Sequence, residues 1–312
     1  MILFNLSLYI AGFVLIWFGS GLLISSASKL SNKLRLSPFA FSFVFLGLLT
    51  STPEFSVGLQ AIADHDPEIF VGNLIGGIIV LFLVVIPLLA VFGNGISLKH
   101  ELDRKTLVAT LLVILAPAFF VLDKRVTNGE GAILIILYLV LLYIIERKHG
   151  IFDKKNKRLL NYRTYSFFDI LKILIGIAIV FVASKLIVDQ TIFFADLFHI
   201  SAFYISLIVV ALGTDLPEIT LAIRSVATGR NEIAMGDYIG AAAVSTFMFG
   251  LFTLMHNGEV ITISNFATTF IFMVIALGMF YFFFRSKNFI SRKNGFVLLS
   301  IYALFIIFEF IR

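Results

Sequence analysis

The sequence predicts an all-α integral membrane protein: ten transmembrane helices in two inverted-topology five-helix repeats, with broken helices at spans two and seven. Three observations predict it. Hydrophobic residues make up 60% of the 312, charged residues only 14%, and the mean hydropathy is +1.03. A soluble domain of this size could not bury so much apolar surface. Next, the chain repeats itself. Leu49-Thr50-Ser51-Thr52-Pro53-Glu54 returns 164 positions later as Gly213-Thr214-Asp215-Leu216-Pro217-Glu218, and ten of 34 aligned positions from Leu49 to Phe82 are identical. Self-similarity at a fixed offset sets architecture before any local detail. Finally, lysine and arginine gather in alternate loops, which fixes the direction of each span.

A span needs about 20 apolar residues. Runs of that kind fall at roughly 3–24, 38–62, 69–92, 106–122, 130–146, 166–187, 200–226, 232–255, 261–284 and 295–311. The first run continues to about Ile24 without a small-residue cleavage site, so it reads as a span and not as a signal peptide. The loop after span one holds Lys29, Lys33 and Arg35, and that after span three holds Lys99, Arg104 and Lys105. The loop 147–165 carries Arg147, Lys148, Lys154, Lys155, Lys157, Arg158 and Arg163. Arg224 and Arg230 flank the turn after span seven; Arg285, Lys287, Arg292 and Lys293 follow span nine. The opposite loops, Asp64 to Glu68, Asp123 to Arg125, Asp189 to His199 and His256 to Glu259, hold few cations. The basic loops therefore face the cytoplasm and both termini lie outside the cell membrane. Residues 1–146 form the first repeat, 147–165 a basic cytoplasmic loop, and 166–312 the second repeat. The basic loop has the composition of a nucleic-acid or lipid patch, but a topology determinant and linker is the simpler reading.

Five spans per half invert the second repeat relative to the first, the pattern of secondary transporters with a midplane site. Proline inside a helix removes one N–H and clashes one turn back. Carbonyls near Leu49–Thr50 and Gly213–Thr214 should lose their helical partners. Together with the Thr50, Ser51 and Thr214 hydroxyls and the Glu54, Asp215 and Glu218 carboxylates, they make an all-oxygen set suited to a hard cation such as calcium. Ionisable residues at bilayer depth are costly and mark function by default; the alternative is a pair of proline kinks whose glutamates face water. The pairs Gly72/Gly76 and Gly236/Gly240 allow close helix packing. Between them, Asn73 and Asp237 occupy equivalent positions. Asp237 reads either as an extra ligand or proton carrier, or as a charge near the interface beside Glu232. His65, His199 and His256 fall in predicted outer loops and read as solvated. Cysteine is absent, which excludes disulfides and thiolate metal sites. No His-Glu-x-x-His or Ser/His pair lies within a span, so an intramembrane enzyme is not indicated.

These residues resemble the calcium/cation antiporter superfamily, and in particular the sodium/calcium exchangers. Ala211 to Glu218 is similar to their Gly-Thr-Ser-x-Pro-Glu motif, and Leu49 to Glu54 matches it except for leucine at the glycine position. The resemblance implies ten spans in two inverted halves and alternating access, with spans one and six sliding past the bundle. It implies that Glu54 and Glu218 bind calcium, that Thr50 and Thr214 add oxygens, and that Ser51 falls at a position associated with sodium. The family commonly continues Gly-Asn-x-x-Gly-Ser-Asn-x-x-Asn in span three, with a similar run in span eight. Here Gly77, Leu81 and Ala241 replace the polar residues, Ser245 alone remains, and Asp215 replaces a serine. Those departures leave room for proton coupling. The expectation is an antiporter exchanging calcium for sodium or protons. Its alternatives are a proton-coupled or other-cation exchanger, and a channel-like or transport-dead homologue. Cation ligands are expected at Thr50, Ser51, Glu54, Thr214, Asp215 and Glu218, with Asn73, Asp237 and Ser245 as coupling or supporting residues. No permanently bound cofactor is expected. The partners would be inorganic cations and the lipid bilayer, not nucleic acid, and the chain would act as a monomer.

Overall fold

The computed structural model describes residues 2–31, 42–97, 103–149, 167–219, 231–256, 259–262, 266–287 and 289–310. Most of the basic loop 147–165, with Lys33, Arg35, Lys99, Arg224, Arg230 and the expected start of span two and end of span seven, lies outside those residues. The chain is helical almost throughout. Helices α1 (Ile2–Ser31), α2 (Ser42–Thr50), α3 (Thr52–Ala63), α4 (Pro67–Phe92), α5 (Arg104–Phe120) and α6 (Asn128–His149) form the first half. Helices α7 (Phe167–Phe198), α8 (Ala202–Thr214), α9 (Asn231–Met255), α10 (Ala267–Lys287) and α11 (Arg292–Phe310) form the second. Among the described residues seven helices are long and apolar enough to cross a membrane, eight if α2 and α3 count as one bent span.

Burial follows the sequence. Helix α4 is apolar all round, and every residue from 69 to 83 is buried, as expected of a helix with no polar face. The equivalent stretch of α9, 235–246, is likewise buried. These two helices form the centre. Helix α8 packs on α4 and α2 packs on α9, so each half lays its motif helix against the other half's central helix. The glycines make this possible. An added Cβ at Gly76 would collide with the Leu207 carbonyl oxygen, and one at Gly240 with that of Phe43. Leu207 lies 164 positions after Phe43, and Gly240 164 after Gly76, so the two close approaches are one contact made twice. Helices α1 and α7 lie along each other, with Gly12 facing Ala183 O and Gly19 facing Gly176 O. Their outer sides are rich in exposed large apolar residues, including Leu3, Phe4, Phe18, Leu174 and Val182, as a lipid-facing surface requires.

Two short antiparallel bridges tie the halves at the ends of the bundle. Strand β1 (Ile96–Ser97) pairs with β4 (Phe289–Ile290), and β2 (Arg125–Val126) pairs with β3 (Val260–Ile261). The 164-residue offset carries β1 onto β3 and β2 onto β4, so these pairs are also exchanged between halves.

Three boundaries differ from the sequence reading by six residues or more. Span one does not stop at 24: α1 runs to Ser31, so Lys29, expected in the loop, is helical. Span six does not stop at 187: α7 runs to Phe198, so Asp189 and most of the expected outer loop are helical. No proline or glycine interrupts that stretch, and Asp189 pairs with Lys185 one turn earlier at 2.8 Å. Span nine begins at Ala267 instead of 261, because Val260–Ile261 is spent on the bridge to Arg125–Val126. The expected loop histidines do sit outside helix bodies, His65 and His199 with left-handed backbone at φ 59° and 55°.

Candidate functional site

Both repeated motifs break their helices at the same point. Helix α2 ends at Thr50 and α3 begins at Thr52, with a bend of 47° between them. Ser51 sits in the break at φ −76°, ψ 11°. In the second half Asp215 follows α8 at φ −81°, ψ 5°, and 216–219 is helical again. A π-helical turn precedes each break, Ser42–Leu46 and Ser206–Val210. Such turns are rare and gather at functional sites. Pro53 and Pro217 fall in the first turn after the break, where a missing N–H costs least.

The freed carbonyls expected at the break are not all free. Leu49 O accepts from Thr52 Oγ1 at 2.7 Å and from the Ser51 N–H. Gly47 O accepts from Ser51 N at 3.1 Å and Ser51 Oγ at 2.7 Å. Gly213 O accepts from the Asp215 N–H. Hydroxyls and cap amides repair these losses, so the expected carbonyl donors at Leu49 and Gly213 are taken up by the helix itself.

The side chains converge. Glu54, Asp215 and Glu218 are all buried, and one carboxylate oxygen from each lies within 4.8 Å of the others. Thr214 and Asp215 face the Glu54 carboxyl, and Thr50 faces that of Glu218. Neither Glu218 oxygen makes a hydrogen bond, nor does Glu54 Oε2 or Asp215 Oδ2. No lysine or arginine is buried among the described residues. Two like charges 4.8 Å apart repel by roughly 3–4 kcal/mol at an effective dielectric of about 20. Three carboxylates without a counter-charge are therefore stable as anions only around a cation.

Each motif also reaches across to the opposite half. Thr50 Oγ1 lies 3.2 Å from Asp237 Oδ1, and Thr214 Oγ1 lies 3.0 Å from Asn73 Oδ1. Asn73 and Asp237 are fully buried, each six residues after the first residue of its helix, α4 and α9. Burial sets Asp237 against the opposite half's motif and not against solvent. Ser51 and Ser245 are buried but turn back on their own helices, to Gly47 O and to Ala241 O at 3.1 Å.

Three features of the surroundings escaped the sequence reading. Gly77 leaves open a space into which Asp215 projects: a Cβ there would stand 3.5 Å from Asp215 Oδ2. Tyr238 donates its hydroxyl to Glu218 O at 3.3 Å. Its neighbour Asp237 was legible as a charge in an apolar run, but a tyrosine there carries no such signal. At one end of the bundle, Lys185 on α7 grips both oxygens of Asp64 at 2.8 and 2.7 Å.

The sequence and the fold are similar to those of known proteins. The family model of the sodium/calcium exchanger protein matches residues 4–145 and 168–311. The inner membrane protein YrbG of Escherichia coli is 27% identical over 81% of each chain. The sodium/calcium exchanger MaX1 of Methanosarcina acetivorans is 24% identical over 99% of each. A solved structure of the sodium-calcium exchanger NCX_Mj superposes with a TM-score of 0.71 at 23% identity, covering 97% of this chain and 98% of that one. That likeness is one of fold.

Proposed function

The chain belongs to the sodium/calcium exchanger protein family, and from that premise we propose that it is a secondary antiporter exchanging calcium for sodium or protons by alternating access. The observation that carries this reading is the cluster of Glu54, Asp215 and Glu218, three buried carboxyls drawn from both motifs within 4.8 Å. In this reading Glu54 and Glu218 bind the divalent ion, Thr50 and Thr214 add oxygens, and Ser51 and Asp215 complete the cation ligands. Asn73, Asp237 and Ser245 support or couple. Calcium accepts six to eight oxygens in flexible geometry, which a site assembled from two halves can supply. The transported ions are substrates; no resident cofactor is part of the reading.

The proposed architecture is ten spans in two inverted repeats, 1–146 and 166–312, joined by a cytoplasmic loop at 147–165. Both termini face outward from the cell membrane, and the protein works as a monomer. The exchanged pairings support the repeat: Thr50 with Asp237 against Thr214 with Asn73, and β1 with β4 against β3 with β2. A pseudo-two-fold site can open to either side by rocking one set of helices against the other.

One observation favours protons over sodium as the coupling ion. Gly77, Leu81 and Ala241 offer no oxygen where the resemblance leads one to expect polar side chains, while Asp215 and Asp237 add carboxyls. Radioactive calcium uptake into proteoliposomes separates the two. Uptake driven by an outward proton gradient, and not by an outward sodium gradient, supports proton coupling. Sodium-driven uptake selects sodium, and no uptake under either gradient removes calcium exchange.

A further inference from the structure

We propose that Tyr302 on α11 is a positioning residue for Asp215: its hydroxyl, linked through a water lodged against Gly77, holds the Asp215 carboxylate toward Glu54 and Glu218. The proposal rests on the reading of those three acids as a cation site. Gly295, Leu298, Tyr302, Phe305 and Glu309 recur at steps of three and four residues and are all buried, so they form one face of the helix. That face packs along α4 from Leu81 to Phe92. A Cβ at Gly295 would stand 2.9 Å from Pro87 O, so the contacts with Leu81–Val85 are made further along α11. Tyr302 lies seven residues on, about 10 Å along the axis. That brings it to the level of Leu81, one turn from Gly77 on α4.

Three polar atoms are left over around that glycine. The Tyr302 hydroxyl is buried and makes no hydrogen bond among the described residues, and the charge of Asp215 acts on it. Asp215 Oδ2 is likewise buried without a hydrogen bond, in the space that Gly77 leaves, where a Cβ would stand 3.5 Å away. The third is Asn73 Nδ2, on the residue one turn before Gly77. Ordered water bridges buried polar groups of this kind, typically with about three hydrogen bonds. Here the Asn73 amide and the Tyr302 hydroxyl donate to the water, and the water donates to Asp215 Oδ2. The carboxylate is then held from behind, with its other oxygen toward the opposite motif.

The first half supplies the control. The 164-residue offset carries Tyr302 onto Tyr138 and Asp215 onto Ser51. Tyr138 is buried against Phe247 of α9, with ring centroids 5.4 Å apart, as Tyr302 is buried against α4. Burial alone bears on the Tyr138 hydroxyl, and Ser51 turns back to Gly47 O at 2.7 Å. The ring is therefore scaffold in both halves, and the hydroxyl has a carboxylate to orient only in the second. Phenylalanine would fill the same space without burying an unpaired hydroxyl, which is costly; the hydroxyl at 302 thus calls for a polar partner.

The test is equilibrium dialysis of the purified full-length protein with radioactive calcium. Tyr302→Phe should raise the Kd roughly ten-fold, the worth of a hydrogen bond to a charged group, at unchanged stoichiometry. Tyr138→Phe should leave the Kd at its native value. In an Asp215→Ala background Tyr302→Phe should add nothing, because groups that act through one another lose their effects together. A native Kd in Tyr302→Phe overturns the proposal, as does a loss of equal size in Tyr138→Phe or in the Asp215→Ala background. Gly77→Ala fills the place of the water with an ordinary contact to Asp215 and should reproduce the Tyr302→Phe loss; native affinity there overturns the link through water. If the native chain binds no calcium, the calcium reading of the cluster fails, and thermal unfolding without cation decides the link. A shift in melting temperature on Tyr302→Phe that differs with and without Asp215→Ala sustains it; an identical shift overturns it.

Discussion

The two halves of this protein share a backbone and differ in chemistry. Their helices break at Ser51 and Asp215 with nearly the same dihedral angles. Their central helices accept the opposite motif helix at Gly76 and Gly240. Yet at equivalent positions of the repeat Ser51 aligns with Asp215, Asn73 with Asp237, Leu74 with Tyr238 and Gly77 with Ala241. The symmetric positions are those that let backbones approach or helices break. The asymmetric ones carry charge or project into the site. Symmetry thus belongs to the scaffold, and asymmetry to the side chains that carry charge.

Breaking the symmetric part should have the largest effect. Valine at either Gly76 or Gly240 sets side-chain atoms against a carbonyl oxygen of the opposite half. Overpacking a tight contact costs about 1–3 kcal/mol or more, and here the backbone itself must yield. Both variants should lose most folded protein on size-exclusion chromatography, and to a similar degree. A folded Gly240→Val beside an unfolded Gly76→Val would show that the two contacts are not equivalent.

Changing the asymmetric part should alter selectivity and spare the fold. Asp215→Ser gives the second motif the serine of the first. It should raise the sodium dependence of calcium uptake by several-fold, or about 1 kcal/mol, and weaken any proton-driven uptake. An unchanged response to both gradients would remove Asp215 from coupling. The smallest effect is expected at Lys185, whose counterpart in the first half is Gly21. Its side chain is 44% exposed in the pair with Asp64, and such pairs contribute under about 1 kcal/mol. Lys185→Met should shift thermal unfolding only slightly. A loss of folding would mean that this ion pair is a main tie between α7 and the bundle.

Much of this was legible because the repeat signal is strong. A proline and a glutamate at one spacing in two apolar runs located both breaks, and the 164-residue offset paired Asn73 with Asp237 before any contact was known. What the sequence could not show was reciprocity. That Thr50 reaches Asp237 and not its own half's Asn73 depends on how four helices cross. The strand bridges were hidden for another reason: two residues are too short to show alternation. The end of α7 was misplaced because Asp189 reads as a loop charge until Lys185, one turn earlier, is seen to pair with it. The carbonyls were misjudged because Thr52, which repairs Leu49 O, looked like part of the motif's spacing.

The most direct test of the shared site is calcium uptake into proteoliposomes bearing Glu54→Gln or Glu218→Gln, at matched reconstitution with the native chain. Removing a buried charged partner typically costs about 2–5 kcal/mol, roughly 30-fold or more in affinity. If one ion sits between the halves, both variants should lose uptake to a comparable extent while remaining folded. Native uptake by either folded variant would contradict a cation site at the meeting point of the two motifs.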